Sequence, residues 1–513
     1  MKAIYVLAAA FLAVLLGAAA PASAAPCDSV ARLRLKDVRI VTAVEVGPGR
    51  EFTPLYPSAA PMRLPFCRVE GVIEREIGFE LWLPPADAWN GRLLVGGVGG
   101  QAGSFNYREL ERGVRRGYAS ASTDTGHKAS DTHWLLNRPD RAANYAHRAN
   151  HLLAVKTKAI LKAVYGAEPR NAFFVGCSGG GRQALTEVQR YPRDFDGVIA
   201  GAPGVNTPAM SARRMWEMQQ HSRLGSLMDS SRWKLVADAA VRACDPIDGV
   251  RDGIIGDPTR CRFDPASLAC RGSVAGPGCL TVPQIEAVRL IHAPLRDENG
   301  RRIDDGLLPG VLVSPTPLPE PFTPGPTFLA VALFGDGVHG DPNWDPRGFR
   351  IARDLPAIDR VMNLHADDPR IDSFLRNGGK LILYHGWADP LVAPQSTIAY
   401  YRSVLKSGGP RAPRSVRLFM APGVDHCRGG AGPDLFGGAG GDSPLPDPDH
   451  DLLSALERWV DRKQVPDKVI AVRVEAGRIV RTRPLCAWPA RAHYVGAGSI
   501  DQAENFVCRR KEI

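Results

Sequence analysis

The stretch 171–183 reads Asn-Ala-Phe-Phe-Val-Gly-Cys-Ser-Gly-Gly-Gly-Arg-Gln, and it constrains the fold more than any other part of the chain. A short apolar, β-prone run stops at Gly176 and delivers Ser178 ahead of a helix-like segment at 182–190. Gly176-Cys177-Ser178-Gly179-Gly180 fits G-x-S-x-G, in which flanking glycines let the backbone turn sharply and leave the serine hydroxyl exposed. The apolar run 197–201 then completes a strand-helix-strand unit, so the sequence predicts an α/β chain with a parallel sheet. Taken alone, the motif fits a glycine-rich turn with a solvated serine equally well. The partners that the rest of the chain offers Ser178 separate the two readings.

Upstream, the run 89–95 reads as a strand that empties into Gly96-Gly97-Val98-Gly99-Gly100-Gln101-Ala102-Gly103. A glycine run after a strand and before the nucleophile is where an esterase of this architecture places an oxyanion-hole amide. Gly99 or Gly100 is expected to supply one N–H and Gly179 the other. The other readings are a plain turn or a phosphate cradle, and a Walker loop would need a Gly-Lys-[Ser/Thr] that is missing. Downstream, the strand-like run 380–385 leads to Asp389, placing a carboxylate just past a strand's C-terminal end, the active edge of a doubly wound sheet. The run 415–420 opens likewise into Asp425-His426-Cys427. Ser178, Asp389, His426 is the chain order of the α/β-hydrolase fold. Nucleophile, orienting acid, base and two oxyanion donors suffice for acyl transfer.

Other titratable residues are expected to be structural. Asp425 competes with Asp389 for His426, but side chains adjacent in a loop usually diverge. Asp124 and His127 precede the serine, against the hydrolase order, and are expected to make structural hydrogen bonds. His385 is expected to be a hydrogen-bonding core histidine.

Lys2, the apolar run 3–20 and Pro21-Ala22-Ser23-Ala24 have the layout of a signal peptide cleaved after Ala24, rather than of a retained anchor. A secreted or periplasmic chain without a stable membrane anchor is expected, and its ten cysteines then point to five disulfides. If Ser178 and His426 meet, Cys177 and Cys427 must also lie close together, which makes a bridge between them plausible. The net charge of +10 is spread among acidic residues without a basic block, which argues against a nucleic-acid partner. Strand-helix alternation fails over about 205–375, where an inserted lid is expected between catalytic segments 25–204 and 376–513. Inside it, Asp245, Asp248 and Asp252 are hard oxygen donors in one turn-rich loop with Gly249 and Gly253. A Ca²⁺ site and a set of Asx-turns both fit, and the spacing is not that of an EF-hand.

These residues resemble the tannase and feruloyl esterase family, a branch of the α/β-hydrolases. The matching pieces are 176–183, Gly386-Trp387-Ala388-Asp389-Pro390-Leu391-Val392, Asp425-His426-Cys427, the loop 244–261, Arg483-Pro484-Leu485-Cys486 and 503–508. The resemblance covers nearly the whole chain after residue 24. It implies a serine esterase with a large lid and a Cys177–Cys427 disulfide. It also implies structural Ca²⁺ held by the carboxylates of Asp245, Asp248 and Asp252 and the carbonyls of Val250 and Ile254. By the same resemblance the other bridges are Cys27–Cys67, Cys244–Cys261, Cys270–Cys279 and Cys486–Cys508. Substrates implied are small or polymer-linked esters of aromatic acids: hydroxycinnamates, gallates and, in one branch, the mono-ester of terephthalate. That last branch has a glutamate after the serine, where this chain has Gly179. The aromatic-bearing segments 328–334 and 344–349 are candidate ring-stacking parts of the lid. A serine peptidase of the same fold, and a calcium-stabilised binding protein without turnover, are the competing readings.

Overall fold

The structure is a computed structural model and describes residues 27–57, 59–223, 226–271, 276–314 and 329–510. The segment expected to be a signal peptide, and Phe328 of the first aromatic segment, lie outside the described residues.

Nine strands form one sheet: β1 (Val38–Val46), β2 (Phe66–Ile73), β3 (Ile77–Leu83), β4 (Arg92–Gly96), β5 (Ala119–Thr123), β6 (Asn171–Cys177), β7 (Gly197–Gly201), β8 (Lys380–Gly386) and β9 (Val416–Ala421). Their spatial order is β1-β2-β3-β5-β4-β6-β7-β8-β9. The first three strands run antiparallel, β3 pairs antiparallel with β5, and every pairing from β5 onward is parallel. This is the α/β-hydrolase arrangement expected from the sequence.

Burial explains the strand sequences. Every residue of β4, β5, β7 and β8 is buried, as in parallel strands covered on both faces. Alternate residues enter different cores: Phe174, Leu381 and Leu383 join one, while Phe173, Ile382 and Tyr384 join the other. The first core is closed by helices α1 (Ala149–Tyr165), α2 (Gly179–Arg190) and α3 (Pro394–Ser407), through Leu153, Leu185 and Val404 among others. The helix Leu452–Arg462 closes the second with Leu452, Leu456 and Trp459.

Between β7 and β8 no strand joins the large sheet among the described residues. The helices Thr207–His221, Ser230–Cys244 and Val282–His292 dominate this insertion, which carries hydrophobic clusters of its own. Phe334, Phe349 and the half-buried Trp344 belong to one of them, so these aromatics are core. The C-terminal hairpin Lys468–Glu475 and Arg478–Cys486 reaches back to the insertion through Arg483, whose Nη2 lies 2.6 Å from Asp252 Oδ2.

All ten cysteines are paired: Cys27–Cys67, Cys177–Cys427, Cys244–Cys261, Cys270–Cys279 and Cys486–Cys508. Among the described residues no helix is long and apolar enough to cross a membrane.

The elbow between β6 and α2 has no spare room. A Cβ on Gly176 would stand 2.4 Å from the carbonyl oxygen of Gly180. Gly176→Ala is therefore expected to lower the unfolding free energy by about 2–3 kcal/mol, because the contact is with backbone that has no rotamer to change. Urea unfolding checks this, and an unchanged midpoint would contradict the tight elbow.

Candidate active site

Three loops leave the C-terminal edge of the sheet and come together. The first follows β6. Ser178 sits at φ 62°, ψ −121°, a left-handed conformation for a non-glycine residue, and α2 starts at the next residue. Strain of this kind costs about 1–3 kcal/mol and persists only where the surroundings fix it. Here the Ser178 N–H donates to Gly201 O (3.0 Å), and Ser178 O accepts from Arg182 N (2.9 Å) and Gly204 N (3.3 Å).

The second loop follows β8 and carries Asp389, which is fully buried. Its Oδ1 accepts from the amides of Leu391 (2.8 Å) and Val392 (3.0 Å). Its Oδ2 accepts from two imidazoles, His426 Nδ1 at 2.7 Å and His385 Nε2 at 3.0 Å. His385 Nε2 also faces the Val392 carbonyl (3.1 Å), which can only accept, so this nitrogen carries the proton. Its Nδ1 is then left to accept from Thr397 Oγ1 (2.8 Å). Burial opposes ionisation of Asp389, but electrostatic attraction from His426 and the hydrogen bonds from His385 and His426 outweigh it and hold the carboxyl below the usual carboxylate range.

The third loop follows β9 and carries His426. With Nδ1–H given to Asp389, its Nε2 keeps the lone pair that a general base needs. The Cys177–Cys427 disulfide, with Cα atoms 6.0 Å apart, ties the residue before Ser178 to the residue after His426. Cys427 is itself at φ 69°. Ser178 Oγ makes no side-chain hydrogen bond in this structure. The acid-base arm is thus formed and the serine arm is open, as is frequent without substrate. Asp425 points elsewhere: burial, reinforced by the charges of Asp389 and Asp434, pushes its carboxyl up to about 6.

The glycine loop after β4 packs directly on the elbow. A Cβ on Gly179 would stand 3.1 Å from Gly100 N and 3.3 Å from Gly99 C, so a side chain there would require the facing backbone to give by a few tenths of an ångström. Gln183, one turn into α2, grips the loop twice: Val98 N donates to its Oε1 (3.0 Å) and its Nε2 donates to Val98 O (3.1 Å). Tyr145 OH donates to Gly100 O (2.8 Å) and Trp134 Nε1 to Gln101 Oε1 (2.9 Å). The sequence named the glycines but not these braces. Gln183 ends the stretch 176–183 with no role that the pattern assigns, and Tyr145 belongs to no motif. Asp124 is structural, bonded to Gly78 N, Gly126 N and Lys128 Nζ. His127 differs from expectation in kind: its ring stacks on Trp134 at 4.1 Å, and burial pulls its imidazole down to about 4.

A cavity of about 170 Å³ borders Ser178, Gly179 and Gly100. A larger one, about 540 Å³, lies between the helix Ser230–Cys244 and the Trp387-Ala388 turn and does not reach Ser178.

In the loop 244–261, the Asp245 carboxylate accepts from the amides of Asp252 (3.2 Å) and Gly253 (3.1 Å), and Asp248 accepts from Val250 N (3.1 Å). Burial, opposed by the Val250 amide and reinforced by the charges of Asp252 and Asp245, pushes Asp248 up to about 6. Gly249 and Gly253 have positive φ, and Gly249 closes the turn Asp245–Asp248. Among the described residues no three His, Cys, Asp or Glu side chains are gathered into a metal-holding group as they stand. The oxygens are hard donors, and Asp248, raised chiefly by burial with the charges of Asp252 and Asp245 adding to it, stands beside two further carboxylates, a donor set that suits a divalent cation.

The family model for tannase and feruloyl esterase matches residues 63–311 and 337–509. An uncharacterized esterase of Xanthomonas campestris pv. campestris is 35% identical, over 95% of this chain and 92% of its own length. A probable feruloyl esterase B-1 of Aspergillus terreus is 31% identical, over 86% of each chain. The crystal structure of feruloyl esterase B from Aspergillus oryzae superposes with a TM-score of 0.86 at 25% identity, covering 94% of this chain and 99% of that one.

Replacing Cys177 and Cys427 together with alanine is expected to lower kcat/KM by about 100-fold, the scale of an ångström-level misplacement of reacting groups. The comparison is made on protein that circular dichroism shows to be folded, and unchanged turnover would contradict the bracing role.

Proposed function

Because the chain belongs to the tannase and feruloyl esterase family and is a carboxylic ester hydrolase, we propose that it hydrolyses esters of aromatic acids, hydroxycinnamates foremost and gallates as the alternative, through an acyl-enzyme on Ser178. One observation carries the mechanism. The Cys177–Cys427 bridge ties the Ser178 elbow to the very loop on which His426 already holds Asp389.

In the first half-reaction Ser178 Oγ attacks the ester carbonyl carbon while its proton passes to His426 Nε2. Asp389 stabilises the imidazolium and fixes its tautomer. The negative charge that develops on the carbonyl oxygen falls to the amides of Gly179 and of Gly100 or Gly99, which act in a site already shaped before the reaction. Collapse breaks the bond to the alcohol oxygen, which leaves with the proton from His426. Water then repeats the sequence: His426 takes its proton, the hydroxide adds to the acyl carbon, and Ser178 is released with that proton as the free acid forms. An intact acid-base arm and the packed glycine loops favour turnover over the non-catalytic binding reading.

The insertion between β7 and β8 acts in this proposal as a lid, with Ca²⁺ holding its 244–261 loop through Asp245, Asp248, Asp252 and the carbonyls of Val250 and Ile254. When bound, the ion supplies charge neutralisation and loop rigidity. Support comes from the hard donors, the three carboxylates gathered in one loop, and Arg483, a cation already drawn to Asp252. Export to a periplasmic or extracellular space is proposed on the five disulfides, which an oxidising compartment maintains.

Wild type is expected to hydrolyse methyl ferulate or methyl gallate, and Ser178→Ala to lose at least about a thousandfold in kcat. Turnover of p-nitrophenyl acetate alone would contradict the aromatic-acid assignment. Strong chelation is expected to lower the melting temperature by about 5 °C or more, through loss of a ligand of the native state. Calorimetry with and without chelator checks this, and coincident melting curves would contradict the calcium site.

A further inference from the structure

The cavity at Ser178 is small. At about 170 Å³ it falls below the roughly 300–1,000 Å³ of ordinary ligand pockets. Its lining includes Ser178, Gly179 and Gly100 but not His426. The leaving oxygen must lie on the His426 side, because His426 protonates it, so this cavity receives the acyl half of the ester.

A second cavity, of about 310 Å³, adjoins it. Gly204, Met210 and Val392 line both, so these three residues form the partition. Gly204 contributes no side chain. Val392 is buried and held by its backbone, which donates to Asp389 Oδ1 and accepts from His385 Nε2. Met210 is the one long side chain in the wall. It stands one turn into the helix Thr207–His221, whose start is tied to the nucleophile loop: Thr207 Oγ1 donates to Gly204 O (2.9 Å), and Gly204 N donates to Ser178 O (3.3 Å). Long side chains on a helix lean toward its N-terminus, and this carries Met210 back over that loop. Its Sδ and Cε each stand 3.9 Å from the point that a Cβ on Gly204 would occupy. The thioether is unbranched and half-buried, so shortening it enlarges the opening and strands no strong hydrogen-bonding group.

Beyond the partition the chemistry changes. Asn206, Arg302, Asp304, Asp305 and Ser396 bring polar groups to the second cavity. Its charges answer one another, Arg302 pairing with Asp305 and Asp304 Oδ2 with Arg213 Nε at 2.7 Å. It therefore suits a neutral, hydrogen-bonding end of a ligand rather than an ion.

We propose that Met210 sets the acyl-size limit of this esterase: its thioether closes the cavity at Ser178 against the second cavity, restricts the enzyme to single-ring acids, and when shortened admits acids that carry a second, oxygenated ring. This rests on the reading of Ser178 as the nucleophile of an aromatic-ester hydrolase. An apolar wall discriminates by the methylenes it excludes, each worth about tenfold or more in kcat/KM.

The test is kcat/KM for methyl 4-hydroxycinnamate and methyl 4-(4-hydroxyphenoxy)cinnamate with wild type, Met210→Ala, Met210→Leu and Val392→Ala. Wild type is expected to favour the single-ring ester. Met210→Ala is expected to raise the ratio of two-ring to single-ring kcat/KM by roughly tenfold or more. Met210→Leu, which nearly conserves volume, should stay closer to the wild-type ratio than Met210→Ala does. Val392→Ala widens the same partition from its other side and gives a reading even where Met210→Ala folds poorly; a smaller rise in the ratio is expected. If wild type handles the two esters equally, or if neither Met210→Ala nor Val392→Ala moves the ratio, the role of Met210 is overturned while the aromatic-acid reading stands. If wild type turns over p-nitrophenyl acetate alone, both are overturned.

Discussion

The bond between Cys177 and Cys427 joins residues 250 apart in sequence, and the geometry of the site depends on it. In the chain-entropy model, closing so long a loop contributes about 5 kcal/mol by restricting the unfolded chain. Its placement has a further effect. One end precedes a serine at φ 62° and the other is a cysteine at φ 69°, so the strain at both loop tips is locked by a covalent tie. In the sheet, the loops that carry Ser178 and His426 follow β6 and β9, which are separated by β7 and β8. The disulfide spans that gap directly.

Around this tie Asp389 and the glycine loop after β4 are each held by several hydrogen bonds. Asp389 accepts four hydrogen bonds, two from backbone amides and two from histidines, so its carboxylate has one orientation available. His385 takes part without facing the cavity at Ser178, and the Val392 carbonyl fixes its tautomer in turn. The glycine loop is held by Gln183 from α2 and by Tyr145 from the turn before α1. Preorganised donors are worth most where charge develops in a site that does not need to rearrange.

Much of this was legible in the sequence, for a physical reason. A strand-to-helix elbow requires small residues at fixed offsets, and parallel strands buried on both faces write continuous apolar runs, so Gly176, Ser178, Asp389 and His426 could be placed at one sheet edge from pattern alone. Choosing Asp389 over Asp425 followed from backbone geometry, and the His426–Asp389 hydrogen bond agrees with it. What could not be read depends on side chains meeting across distant segments. Nothing in the spacing of Tyr145 or Gln183 says that they reach Gly100 and Val98, and His127 looked like a hydrogen-bonding residue because its stacking partner Trp134 is visible only in the fold. The cavity at Ser178 shows the limit most clearly: Gly100, Met210, Leu329 and Leu391 line it from separate segments of the chain.

The central claim is that Ser178 is a nucleophile activated by His426, and covalent labelling tests it most directly. A fluorophosphonate accepts attack by an activated serine oxygen and loses fluoride, leaving a stable phosphonyl ester. Mass spectrometry of the digested wild type is predicted to find one adduct per chain, on the peptide that contains Ser178, with labelling much slower in a folded His426→Ala variant. A folded wild type that stays unlabelled, or that carries its label elsewhere, would contradict the account.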